Sequence, residues 1–468
     1  MDKAVIVECL ILFLIVAPAV WMALNRSSWL IDYAIFVLAF NRGLRRIVDY
    51  YVNEEFNPRS PISLSPLLVA MLLFIPVLQN TDRITPQLRK IFGLFSVAIA
   101  GGFAVGFLLN KFAAVYSLAE WLSGLAALAF AATQRASSSE ANRWIKSAGW
   151  AALGVAAYGW WQYYTIPAWD AMWLEQSGMQ GYMGQPIPTQ MTLFSTMNER
   201  GPCGTFLAWA AIPMILSRQW RNPLGWIAIV FVIATIFLTG TRSNFIVMAV
   251  VAVLYPALSR GRGAFRMLVL AALSVLVISF GASRIPGAER FAARYTAEEI
   301  HGEGSSLQGR LEIYRMGLST IARNPLGLGL GSSGMGKRVE GGEGVVGDSG
   351  YVQIFAQFGW LGGIAFFAAF TLMWKELTRR SRNAVNAFRG PVDPFIPATR
   401  ALLLATMVFL LVGDIFSGFS LIWVFFGRAL AVSTDPALEP GRSPPTGGRR
   451  VVAIQRKVMR GPLAQGRS

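Results

Sequence analysis

Arg242 sits in Leu238-Thr239-Gly240-Thr241-Arg242-Ser243-Asn244, a short link between two apolar runs. A guanidinium presents a planar fork of N–H donors that matches phosphate oxygens two at a time. The flanking Gly, Ser and Thr add small donors and leave room for a ligand, so the link reads as an anion clamp. The competing reading is an interfacial arginine reaching for lipid headgroups. Arg310 opens a second group. From Leu307 to Ala322 the apolar residues Leu311, Tyr314, Leu318 and Ile321 recur at helical spacing, which predicts an amphipathic helix. Arg310 and Tyr314, four apart, share one side of it, whereas Arg315 and Arg323 read as its solvated face. Asn198, Glu199 and Arg200 precede another apolar run; Arg200 is a candidate third phosphate contact, with a local Glu199 pair as the plainer account. Asp348 stands where the hydrophilic stretch 282–347 gives way to a new apolar segment.

The elements that must hold these residues are membrane helices. Of the 468 residues, 54% are hydrophobic and 14% charged, with a mean hydropathy of +0.47. Soluble domains carry about 25% charged residues. The apolar residues come in long runs, and runs of about twenty cross a bilayer as helices, because lipid offers no partner to an unpaired backbone group. The predicted spans are 4–24, 29–46, 62–79, 91–109, 111–132, 144–166, 201–217, 223–240, 243–258, 265–281, 348–374 and 399–432. The last contains Gly413-Asp414 and reads as two short helices with a break. The expected fold is an all-α polytopic membrane protein of about twelve crossings, with one large loop between the late helices. Residues 1–281 form the first set of helices, 282–347 the loop, 348–432 the last helices, and 433–468 a basic disordered tail. Ala17-Pro18-Ala19 faintly resembles a cleavage site, but a second apolar run follows at once, so the first segment reads as an uncleaved helix.

The net charge of +17 fits topology better than nucleic acid. Arg135–Lys146, Arg218–Arg221, Arg260–Arg266 and Lys375–Arg389 are biased to Lys and Arg and fall on one side, which the positive-inside rule makes cytoplasmic. Segments 167–200, 239–243 and 282–347 then face outward. One cluster resists this scheme: Arg42, Arg45 and Arg46 would also lie outside, unless one of the first three segments is interfacial. Cys9 and Cys203 lack metal-ligand spacing and read as packing residues. His301 is the single histidine, so a His-rich metal site is excluded. Glu120 and Asp414 lie inside apolar runs, where charge is costly and usually functional or paired. Trp160, Trp161, Tyr163, Tyr164, Trp169 and Trp173 suit an interfacial belt or a platform for sugar rings.

The helix that carries Arg310 ends at Asn324-Pro325-Leu326-Gly327-Leu328-Gly329-Leu330-Gly331. Pro325 stops it and the alternating glycines allow a tight backbone path; no Gly-Lys-Ser/Thr follows, so this is not a nucleotide-binding loop. Gly309-Arg310, this Asn-Pro-Leu-Gly-x-Gly-x-Gly run, then Asp348-Ser349-Gly350-Tyr351 and Phe358-Gly359-Trp360-Leu361-Gly362, together with the links at Asn198 and Arg242, resemble the O-antigen ligase and polymerase superfamily. The resemblance covers residues 190–375 well and the flanking helices by hydropathy. It implies a bacterial inner-membrane glycosyltransferase that takes glycan from an undecaprenyl-pyrophosphate carrier on the periplasmic face, without a metal or other cofactor. Arg242 and Arg310 match the two arginines that hold the pyrophosphate in the ligases. Where ligases place a catalytic histidine, this chain has Asp348-Ser349-Gly350, so the chain is more similar to the exopolysaccharide polymerase branch. Asp348 would then accept the proton of an acceptor hydroxyl as it attacks the anomeric carbon; capping the following helix is the competing and compatible role. Tyr314, Asn198 and Arg200 complete the expected substrate site, and His301, far upstream in the loop, is a weaker candidate. The expected partners are a lipid-linked oligosaccharide, membrane lipid, and export and chain-length machinery, with no nucleic acid. A ligase moving finished glycan to lipid or protein is the alternative enzyme. A polysaccharide or lipid-linked sugar transporter is the alternative from another class, although transporters gather their ionisable residues near the bilayer midplane.

Overall fold

A computed structural model describes residues 3–134, 138–220, 222–259, 263–293, 306–333, 349–387, 395–413, 416 and 418–431. Among the described residues the regular structure is entirely helical. Among the described residues, five helices are long and apolar enough to cross a bilayer: Lys3–Leu24, Pro61–Leu78, Pro86–Thr133, Ala264–Gly281 and Gly350–Arg382. In chain order the helices are α1 (Lys3–Leu24), α2 (Leu30–Val48), α3 (Ser65–Met71), α4 (Phe74–Leu78), α5 (Pro86–Thr133), α6 (Ser138–Thr165), α7 (Ala168–Gln176) and α8 (Gln180–Met183). They continue with α9 (Arg200–Leu216), α10 (Pro223–Leu238), α11 (Arg242–Leu258), α12 (Ala264–Arg284) and α13 (Glu289–Ala293). The last four described are α14 (Ser306–Arg323), α15 (Gly350–Ala387), α16 (Phe395–Phe409) and α17 (Leu421–Leu430).

Two of these helices fold back on themselves. A straight α5 of 48 residues would be about 72 Å long. Yet Arg83, just before its start, donates to the carbonyl of Thr133, its last residue, at 3.2 Å. The reversal is at Lys111, whose φ of 42° and ψ of −111° are not helical, and it separates the two spans expected at 91–109 and 111–132. The second reversal was not expected. The sequence predicts one helix over 348–374, but α15 breaks at Gly359 (φ 68°). The Tyr351 and Phe367 rings, which a straight helix would hold about 24 Å apart, stack at 5.3 Å. Residues 350–358 are therefore a short arm lying antiparallel to 360–387. The apolar run 399–432 does resolve into two short helices, α16 and α17.

Hydrogen bonds sort the helix ends into two groups. At one end Arg143 of α6 reaches Asp32 and Ser28, Arg266 reaches Leu216, Arg380 reaches Ala431, and Arg83 reaches Thr133. At the other end Glu8 accepts from Asn53 and Asn57, Tyr163 donates to Pro286, Arg290 to Thr189 and Met191, and the Leu193 amide to Leu238. Between them the core is apolar. Phe95, Phe366, Phe370, Phe416 and Trp423 meet edge-on or tilted with centroids 4.8–5.7 Å apart, each pair contributing about 1 kcal/mol beyond area burial. Small residues let the backbones close up: Gly124 lies on the Trp423 indole and Gly427 on the Leu128 carbonyl. In lipid such van der Waals packing, not the hydrophobic effect, drives helix association.

The glycine run docks on the first arm of α5. The Leu330 amide donates to Gly102 at 2.8 Å and the Leu328 amide to Ala356 at 2.7 Å. Asn110 Nδ2 donates to the carbonyls of Leu328 (2.9 Å) and Leu330 (3.0 Å). Gly329 has φ +76°, and a Cβ there would run into the backbone of Gly106. Gly329→Ala is expected to destabilise the fold by about 3 kcal/mol, from left-handed backbone strain plus overpacking, read as a lower thermal midpoint of the purified protein. A midpoint equal to wild type would mean that the run is a passive turn.

Candidate functional site

The link between α10 and α11 is built by a chain of hydroxyls. Thr239 Oγ1 donates to Ile236 at 2.7 Å and lies 2.6 Å from Thr241 Oγ1. Asn244 Nδ2 donates to Thr241 Oγ1 at 2.6 Å, and Asn244 Oδ1 accepts from Thr205 Oγ1 at 3.2 Å. Gly204 of α9 packs so closely on Asn244, Thr241 and Thr239 that it has no room for a side chain. The result fixes the first turn of α11, which opens with Arg242 and has no acidic residue. A helix N-terminus carries partial positive charge, so a cation there costs about 0.3–1 kcal/mol. α9 likewise opens with Arg200 and has no acid in its first turn. Two helix starts, each led by an arginine, thus share one end of the bundle, and helix starts are natural anion sites.

Arg200 carries a sharper sign. Its guanidinium lies 4.0 Å from the centroid of the Tyr182 ring. Its Nη1 is buried and has no hydrogen-bond partner among the described residues. Buried polar atoms are almost always satisfied, so an orphan donor calls for a missing partner. Nearby Arg290 spends its Nη2 on two carbonyls, and burial pushes its guanidinium pKa down.

Beneath this rim lies a polar knot that the sequence reading missed. Arg46 Nε donates to Asp170 Oδ1 at 2.6 Å, with 1% and 0% of the two side chains exposed. The other Asp170 oxygen accepts from Tyr158 (2.8 Å) and Gln162 (2.6 Å). Arg46 also donates to Met197 at 2.7 Å, to Ser195, and to Asn198 Oδ1 at 3.4 Å, while its guanidinium lies on the Trp173 and Phe194 rings. Arg45 pairs with Asp49 at 3.4 Å. Two of the three arginines that defied the charge bias, Arg45 and Arg46, are thus paired with buried carboxylates. A lone Asp170 among aromatic residues was the available signal.

The structure brings Asn198, Arg200 and Arg242 to one end of the bundle. The Tyr314 hydroxyl donates to the Leu411 carbonyl at 2.6 Å, and its helix packs on the short arm of α15 through Ile321, Val352 and Ala356. The backbone of Arg310 is helical, but its side chain lies outside the described residues, as do Asp348, His301 and Asp414. Next to Asp348, Ser349 and Gly350 are tied to the Leu410 carbonyl, the Gly350 amide at 2.9 Å. The aromatic belt is split. Trp161 and Tyr164 are exposed, whereas Tyr163 and Trp173 belong to the interior; Trp160 and Trp169 spend their N–H groups on Thr235 and Tyr158. Cys203 is buried and Cys9 exposed.

Residues 227–367 match the family model of the O-antigen ligase. That stretch is similar to the O-antigen ligase family. The matched region runs from α10 into α15 and contains Arg242, Arg310, Tyr314 and Asp348. Asn198, Arg200 and the Arg46–Asp170 knot precede it. No curated protein matches the chain. Together with the described helices that are long and apolar enough to cross a bilayer, this similarity fits a multi-pass membrane protein.

Proposed function

We propose that the chain is a metal-independent glycosyltransferase of the bacterial inner membrane, with about twelve crossings, that polymerises undecaprenyl-pyrophosphate-linked repeat units into exopolysaccharide on the periplasmic face. The observation that carries this reading is the pair of arginine-led helix starts, one with a buried donor that has no partner among the described residues, gathered at the end of the bundle that is poorer in basic residues. A diphosphate supplies the charge and oxygens that such donors need.

In the proposed reaction an acceptor hydroxyl oxygen bonds to the anomeric carbon of the donor as the bond from that carbon to the phosphate oxygen breaks. Asp348 takes the hydroxyl proton. Polyprenyl pyrophosphate leaves with the bonding electrons, its growing charge held by Arg242 and Arg310, with Arg200 as a third contact. The arginines supply the positive charge that a metal supplies in other phosphate chemistry, and the loop 282–347 limits the access of water to the donor. Export and chain-length machinery would take up the product.

Asp348→Asn is expected to lower turnover at least about 100-fold while donor binding changes little. Unchanged turnover would leave Asp348 with a capping role alone. The test of the whole reading is glycan analysis of a strain lacking the protein. Single repeat units accumulating on the carrier support a polymerase. Long chains that fail to reach their lipid or protein acceptor indicate the ligase named by the family description, and polymer retained inside the cell indicates a transporter.

A further inference from the structure

The opposite end of the bundle holds a second basic site, independent of the reading above. On α15, Lys375, Thr378, Arg379 and Arg382 fall at the three- and four-residue spacing that puts them on one helix face. With Trp374 they line an open cleft of about 340 Å³. Arg400, near the start of α16, lies against this region, its guanidinium 4.6 Å from the centroid of the Trp374 ring. Glu376 is occupied: both its oxygens accept from Arg379 (2.8 and 2.9 Å) and one also accepts from Arg380 (2.7 Å). Two polar atoms here, Thr378 Oγ1 and Arg400 Nε, are buried and have no hydrogen-bond partner among the described residues.

Positive-inside topology accounts for basic residues at this end. It does not account for a concave site in which a hydroxyl and a guanidinium N–H have no partner among the described residues, since such atoms are rarely left unsatisfied. We propose that this cleft binds a phosphate group, supplied in the membrane by the headgroup of an anionic phospholipid. The phosphate oxygens accept from Thr378 Oγ1 and Arg400 Nε, Lys375 and Arg382 supply further positive charge, and Trp374 sits at the glycerol level, where tryptophan is favoured. Basic pockets between helices on the cytoplasmic side recognise headgroups in this way.

The test uses the full chain in nanodiscs of phosphatidylcholine mixed with phosphatidylglycerol, with the phosphatidylglycerol retained on release counted by native mass spectrometry. Arg382→Gln and Arg400→Gln are each expected to lower retention about five-fold. Thr378→Val keeps every charge and is expected to lower it too, while Arg89→Gln, an exposed charge outside the cleft, should leave it unchanged. Equal retention by wild type and the three cleft variants overturns the proposal. In a second arm, inorganic phosphate is added to discs of phosphatidylcholine alone. Phosphate raising the thermal midpoint of wild type but not of Arg400→Gln, with no cleft-dependent lipid retention, would assign the site to free phosphate and overturn the lipid source.

Discussion

Arg242→Ala is expected to reduce glycan transfer by about 100- to 1,000-fold, the loss seen when one preorganised donor to a developing charge is removed. The protein should still insert and fold, with stability within about 1 kcal/mol of wild type, because the side chain is partly exposed and its charge opposes the dipole of the helix it begins. Loss of activity without loss of stability is the mark of a residue kept for its ligand. Arg242→Lys should recover part of the activity: a lysine keeps the charge but not the two-pronged geometry. Polymer yield in a complemented strain, together with the amount of protein in the membrane, checks both variants. Wild-type yield from Arg242→Ala would remove the clamp from the mechanism and return Arg242 to the role of a headgroup contact.

The second large effect is on the fold. Arg46→Ala leaves Asp170 buried without its cation, and Asp170→Asn leaves Arg46 without its anion. Breaking a buried pair from one side costs about 3–5 kcal/mol, so either change should sharply lower the thermal midpoint and the yield of folded protein. Replacing both by apolar residues of similar size, Arg46→Met with Asp170→Leu, should recover much of that loss, since no charge is then stranded. The double variant should stay poorly active, because Arg46 also holds Ser195, Met197 and Asn198, the stretch that leads to Arg200. A single variant as stable as wild type would show that the pair is not what fixes this region.

Much of the helical plan was legible, because hydrophobic runs separated by basic links obey rules set by the bilayer. The division of the run 399–432 into α16 and α17 and the hairpin at Lys111 could be placed from the lengths of the runs. The fold-back at Gly359 could not, since Phe358-Gly359-Trp360-Leu361-Gly362 is as apolar as the helix around it and nothing local marks a reversal. The anion site was legible in part. Arg242 stood out because it opposed the charge bias, and Arg45 and Arg46 did so too, but pairing them with Asp49 and Asp170 required distances that no pattern supplies. Tyr314 shares a helix face with Arg310, but the bond from its hydroxyl to the Leu411 carbonyl has no mark in the pattern. Helical spacing shows which residues share a face, not what that face meets.

The seam between Leu330 and Gly102 joins parts of the chain that leave the ribosome far apart in time. Gly102 enters the membrane early in synthesis, and Leu330 follows only after several more helices have been inserted. Contacts so distant in sequence form slowly, since loop closure must precede any gain from them. The hairpin around Lys111 therefore waits with its glycine groove uncovered until the late segment arrives. An arrest of synthesis just before residue 324 should leave the earlier helices inserted and this groove open to a thiol probe placed at position 110, whose side chain faces Leu328 and Leu330 in the folded chain, and release of the arrest should close it.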